Sequence, residues 1–192
     1  MPWALLISCG LFLGLPGIAW PELQPIDLSA IEQVQDLSGR SLELQPPDSW
    51  TVLIFVRPDC PISNRYTPEL RRLHDEYAGR GVEFRAVYPG LVPRPDARSH
   101  HRQYQIPFAA LLDRAGELVE ATGVQVTPEA VVLDRDGRLY YRGRIDDTWI
   151  ALGQPRHQAT QHDLADAIEA VLAGRAVKTP ETRAIGCYID PL

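Results

Sequence analysis

Cysteine is scarce in this chain. There are three in 192 residues, Cys9, Cys60 and Cys187, and no histidine stands at metal-ligand spacing to either of the last two, so no metal and no cofactor is expected. Basic blocks are missing as well: the formal net charge is -6, with no lysine- or arginine-rich stretch, which argues against a nucleic-acid surface. Internal repeats and low-complexity tracts are absent, which excludes solenoids and disordered arrays. What remains is a chain 45% hydrophobic, ample for one core with some decoration.

Charge is also absent from residues 1–20. Leu5, Leu6, Ile7, Leu11, Phe12, Leu13, Leu15 and Ile18 form an apolar block. It is short for a membrane span, and Gly14, Pro16 and Gly17 break it. Small residues at Gly17-Ile18-Ala19 suit a signal peptidase, so residues 1–20 read as a cleaved export signal. A membrane association would follow only if the segment stayed uncleaved. Leu6-Ile7-Ser8-Cys9 is lipobox-like, but too little apolar chain precedes Cys9. The expected location is extracytoplasmic. Removal of Cys9 leaves Cys60 and Cys187, an even pair in an oxidising compartment, which suggests a disulfide or a dithiol redox couple.

The chain turns on residues 51–64. Thr51-Val52-Leu53-Ile54-Phe55-Val56 is a β-branched and aromatic run of the kind buried on both sheet faces. After the turn at Arg57-Pro58-Asp59 comes Cys60, directly before Pro61. Proline suits the first helical position, where its missing N–H would have no intrahelical partner. Ile62, Tyr66, Leu70, Leu73 and Tyr77 then recur at helical spacing. Cys60 therefore stands where a strand hands over to a helix N-terminus. Unpaired N–H groups and the helix dipole favour a thiolate there by about 1 kcal/mol, a little under one pKa unit. Asp59 would oppose ionisation if it faced the sulfur, and Arg57 or Arg65 would assist it. The bland alternative is an inert, buried cysteine.

Residues 21–30 form a lead-in, and a hairpin turns at Ser38-Gly39. A second buried strand over 82–88 implies a parallel pair with the first. A helix is expected over 96–105; its His100 and His101 point apart as neighbours and read as solvated residues. A short strand over 108–113 and a short helix over 115–122, closed by Gly123, come next. Thr127-Pro128 opens a hairpin, 130–133 and 139–143, reversing at Gly137. A cis bond there would expose a backbone edge; a trans turn proline is the ordinary alternative. Residues 144–157 read as a long loop, with Asp146-Asp147 a solvated turn. Thr160-Gln161-His162-Asp163 reads as a capping-box variant for the last helix, closed by Gly174. Residues 176–192 form a tail carrying Cys187, either a mobile resolving thiol or a disulfide that pins the tail.

This order of elements, with Asp59-Cys60-Pro61-Ile62-Ser63-Asn64-Arg65-Tyr66, Arg142-Gly143-Arg144-Ile145-Asp146-Asp147 and Gly186-Cys187-Tyr188-Ile189, resembles the AhpC/TSA redoxin branch of the thioredoxin-fold proteins, in its exported form. The resemblance implies an α/β thioredoxin-like fold over residues 31–175: a central mixed sheet flanked by helices, an N-terminal β-hairpin and an extended C-terminal tail. It implies a cis Pro128 facing Cys60. Cys60 becomes the nucleophile, Cys187 its candidate resolving thiol, and Arg57, Pro61, Ser63, Thr127 and Pro128 position sulfur or substrate. The second cysteine of thioredoxin-type reductases is replaced by Ser63, and a C-x-x-S site cannot release a mixed disulfide alone. The peroxiredoxin threonine and proline are replaced by Arg57 and Leu53. The expected activity is a thiol-dependent oxidoreductase with a thiol/disulfide protein or a small peroxide as partner. The alternatives are a peroxiredoxin-like peroxidase, a Sco-like copper carrier, and a binding module without turnover.

Overall fold

The computed structural model describes residues 26, 31, 34–41, 44 and 49–190; the expected export signal over 1–20 lies outside them. The strands are β1 (Gln35–Asp36), β2 (Trp50–Phe55), β3 (Val82–Pro89), β4 (Ala109–Asp113), β5 (Val126–Thr127), β6 (Glu129–Leu133), β7 (Leu139–Gly143), β8 (Trp149–Ala151), β9 (Gln154–Pro155) and β10 (Cys187–Tyr188). The helices are α1 (Pro61–Tyr77), α2 (Arg94–Gln103), α3 (Glu117–Thr122) and α4 (Asp163–Leu172). The main sheet runs β1-β4-β3-β2-β6-β7. β2 is parallel to β3 and β3 to β4, whereas β6, β7 and the edge strand β1 run antiparallel to their neighbours.

The alternation of side chains along β2 builds two cores at once. Val52, Ile54 and Val56 face Leu70, Leu73 and Tyr77 of α1 and Leu164 and Ile168 of α4. Leu53 and Phe55 face Leu111, Leu118, Val131 and Leu133 on the other side. All five are completely buried, as the unbroken apolar run predicts.

The register of this sheet positions the site. Phe55 at the end of β2 lies opposite Val87 on one side and Glu129 on the other. Because β6 is antiparallel to β2, its beginning meets the end of β2, and the turn that feeds β6 sits beside the loop that follows β2. Thr127-Pro128 is thus brought to Cys60, and its peptide bond is cis.

Four expectations change. His100 is not solvated but 4% exposed, since α2 packs onto α1 and β3. Asp146 and Asp147 are also buried, as acceptors for neighbouring donors. Asp147 takes the N–H groups of Thr160 and Gln161 and the Thr160 hydroxyl, so Thr160 is not a helix cap; α4 begins two residues later, behind His162. The loop after β7 contains the small β8–β9 hairpin. The reversal at Ser38-Gly39 forms as expected, with Gly39 at φ 95°, although β1 mainly pairs with β4 and touches Ser41 through one bridge.

Candidate active site at the start of the first helix

Cys60 caps α1 with extended backbone, φ -93° and ψ 107°, and Pro61 takes the first helical position. The Ser63 N–H points at the cysteine sulfur, donating at 3.4 Å. On the opposite side the thiol donates to the Thr127 carbonyl at 3.0 Å. The hydroxyls of Ser63 and Thr127 are buried without a hydrogen-bond partner, so both are available to an ionised sulfur.

Cys60 is fully buried. Its cover is the tail. β10 pairs antiparallel with β5, setting Cys187 opposite Thr127, and the Ile189 N–H donates to the Gln125 carbonyl at 3.0 Å. Gly186 lies flat against the Thr127 carbonyl, with no room for a β-carbon. Farther back, Thr182 donates to the Arg142 carbonyl and Arg142 to that of Pro180. The tail is therefore docked along its length, and both cysteines are free thiols, so no disulfide pins it here.

The two thiols have opposite electrostatics. Burial pushes the Cys60 thiol up, but contacts with Cys187, with Ser63 and with Thr127 more than offset it, and the net direction is down. Burial raises the Cys187 thiol to about 12, helped by its hydrogen bond to Cys60 and that sulfur's charge. Of the two thiols, Cys60 is the one shifted toward ionisation and Cys187 the one shifted away from it.

Arg57 does not reach the sulfur. Its guanidinium makes a two-pronged pair with Asp59 at 3.0 and 2.8 Å. It also donates to the Tyr188 carbonyl at 3.3 Å and pairs with Asp190 at 3.4 Å. The structure thus places Cys60, Pro61, Ser63, Thr127, Pro128 and Cys187 together, with Arg57 one step out, holding tail and turn.

Clefts flank the docked strand. One, of about 380 Å³, lies between the Arg57–Asp59 turn, Leu91 and Ile189; another, of about 920 Å³, lies between β5, the β8–β9 hairpin and the tail. The exposed large hydrophobic side chains among the described residues are Leu91, Ile150, Leu152 and Tyr188, and all four line these clefts. Elsewhere, Glu69, Asp146 and His162 converge within 4.8 Å, but both Glu69 oxygens are held by Arg72 and one Asp146 oxygen by Tyr66 and Thr148.

Sequence reasoning missed Gly186 as a tail contact and the polar chain from Asn64 to His100 and Tyr88. Only the presence of Asn64 in the quoted cysteine motif hinted at the second.

The chain is similar to a thiol-disulfide oxidoreductase ResA of Halalkalibacterium halodurans, 26% identical over 107 residues, 55% of this chain and 60% of that protein. It thus spans less than two thirds of that relative's length. Among solved structures, an uncharacterized conserved protein of Geobacillus kaustophilus superposes with a TM-score of 0.73 at 25% identity, covering 90% of this chain and 92% of that one. A hypothetical protein of Sinorhizobium meliloti follows at 0.64 and 27%, covering 74% and 79%. The family model described as AhpC/TSA matches residues 29–142, more than half of the chain, with the strand, the Cys60 turn, α1 and the Thr127-Pro128 turn inside it. The chain belongs to the AhpC/TSA family.

Proposed function

We propose that the protein is an exported thiol-disulfide oxidoreductase whose working pair is Cys60 and Cys187. The observation that supports this reading is the register of β10 on β5, which sets the tail cysteine opposite Thr127, whose carbonyl touches the Cys60 sulfur. The curated relative's name describes the same class of reaction.

The chemistry runs as thiol–disulfide exchange. Cys60 thiolate attacks one sulfur of a substrate disulfide; that S–S bond breaks, a Cys60–substrate disulfide forms, and the departing thiolate takes a proton. Cys187, deprotonated, then attacks the Cys60 sulfur and releases the second substrate thiol. The products are a Cys60–Cys187 disulfide and a substrate dithiol, two electrons having passed from protein to substrate. The raised Cys187 thiol sets the order of events. It is a poor nucleophile while Cys60 is anionic, and two of the causes that hold it up disappear once that charge is consumed. Resolution is thereby linked to capture.

A protein substrate is favoured over a small peroxide. The exposed apolar side chains gather at the clefts beside Cys187, where a polypeptide can rest while the tail shifts. Arg57, the cation nearest the cysteine turn, is committed to Asp59 and Asp190, not poised for a peroxide.

The test is mass spectrometry of the reduced protein after treatment with a disulfide-containing peptide or, separately, one equivalent of hydrogen peroxide. A Cys60–Cys187 disulfide formed with release of peptide thiol is expected. Sulfenylated Cys60 formed only by peroxide would favour the peroxidase, and an unreactive Cys60 would remove the redox reading.

A further inference from the structure

Asn64, His100 and Tyr88 come from α1, α2 and β3, yet they form one unbroken polar chain behind the Cys60 turn. The Tyr88 hydroxyl meets His100 Nδ1 at 2.8 Å, His100 Nε2 meets Asn64 Oδ1 at 2.7 Å, and Asn64 Nδ2 donates to the Pro58 carbonyl at 3.1 Å. Only one assignment of donors satisfies it. A carbonyl can only accept, so the Asn64 nitrogen faces Pro58 and its oxygen faces His100, which must donate from Nε2. Burial holds His100 down to about 4, so its ring is neutral and Nδ1 accepts from Tyr88. Tyr88 is fully buried, and Tyr104 and Tyr88 pack their rings on the imidazole at centroid distances of 4.7 and 5.6 Å, which fixes its tilt.

The far end of this chain is the turn that aims the sulfur. The Pro58 carbonyl is held by Asn64, the Cys60 N–H by the Arg57 carbonyl at 3.2 Å, and the Cys60 carbonyl by the Asn64 N–H at 3.1 Å. These three bonds set the extended backbone of Cys60, the conformation in which its sulfur meets the Ser63 N–H. Asn64 thus grips the turn from both sides, and His100 orients Asn64.

We propose that His100 is a positioning residue for Cys60: through Asn64 it holds the Pro58–Cys60 turn in the geometry that keeps the sulfur on the α1 N-terminus. This rests on Cys60 being the nucleophile. Without the imidazole N–H, the Asn64 amide loses its orientation, the turn relaxes, and the sulfur drifts from its donor. A purely structural role, anchoring α2, would lower stability and leave the thiol unchanged.

The test is the pH dependence of Cys60 alkylation by iodoacetamide in the full chain, read on the Cys60 peptide by mass spectrometry. His100→Leu and Asn64→Leu are expected to move the midpoint upward and slow alkylation at pH 7 about five- to tenfold, where tenfold corresponds to one pKa unit. His100→Gln, which keeps an N–H donor at the Nε2 position, should restore most of the rate. His101→Ala loosens the same helix by removing its bond to the Phe108 carbonyl and should leave the midpoint in place. An unshifted midpoint in His100→Leu, or an equal shift in His101→Ala, overturns the proposal. Should the leucine variants not fold, nitrogen NMR of the native imidazole decides: the Nε2–H tautomer is required, and Nδ1–H refutes it. A native Cys60 that titrates as an ordinary thiol would instead strike down the nucleophile reading, a separate outcome.

Discussion

Cys60 is gripped by the interior of the fold, whereas Cys187 rides on a two-residue strand at its margin. Around Cys60 stand the completely buried end of β2, the first turn of α1, a polar chain from three elements and the Thr127 carbonyl. Cys187 is partly exposed and held by backbone pairing with β5 and by Gly186 against Thr127. The rigid partner is the thiol shifted down and the displaceable partner the thiol shifted up. A nucleophile benefits from fixed N–H donors, because a preorganised dipole stabilises charge without rearranging. A resolving thiol must come and go, and a short strand at an edge is a fitting carrier.

Cys60→Ser is the most severe way to break the contrast: exchange with a disulfide peptide should fall to the uncatalysed rate while the circular dichroism stays native. Cys187→Ser should spare the first step and stop the second, so that one equivalent of mixed disulfide accumulates on Cys60 and multiple turnover is lost; steady turnover in this variant would refute a resolving role. Gly186→Val tests the grip on the tail. The new side chain has no space against Thr127, so the tail should lift and Cys60 alkylation at pH 7 should rise about tenfold, equivalent to about 1.4 kcal/mol of lost docking. An unchanged rate would mean that the tail does not guard the sulfur.

The native pH profile sharpens the same contrast with a smaller effect. Because the Cys60 thiol is shifted down, its alkylation should reach half its plateau below the free-cysteine value of about 8.5. Cys187, raised to about 12, should stay unmodified over that range; equal reactivity of the two would contradict the asymmetry. The smallest effect on either thiol is expected from Asp147→Asn, remote in the loop behind α4. Hydrogen bonds from Thr160 and Gln161 overcome the effect of burial and hold this carboxylate well below its usual range. A carboxyl depressed on folding stabilises above its unfolded value of about 3.9 and loses that contribution as the pH falls below it. The variant should cost about 1–3 kcal/mol near neutrality, with the gap in Tm narrowing below pH 4 and Cys60 alkylation unaltered.

Most elements were legible where local pattern and burial agree. The run 51–56 announced a two-faced strand, and Pro61 with the Ile62, Tyr66, Leu70, Leu73 stripe announced the helix and thus the place of Cys60. Errors fell on polar residues. His100, Asp146 and Asp147 read as solvent-facing because their types usually are, but each found a partner from another element, and burial of a polar group depends on that partner; Thr160 read as a helix cap and instead donates to Asp147. Ser63 stands beside the sulfur because the first helical turn puts its N–H there, while the partners of Arg57, Asp59 and Asp190, are set by the turn and the docked tail.

Sequence alone determined that one cysteine stands at a strand-to-helix junction, because hydrophobic periodicity and a proline at the first helical turn are local properties. It also determined that the reductase pattern C-x-x-C is broken at Ser63. Tertiary structure decided the rest: that Thr127 and Cys187 meet the same sulfur from 67 and 127 residues away, and that His100 stands behind it. Antiparallel register and tail docking set those meetings, and such long-range pairings are fixed by how the whole sheet packs.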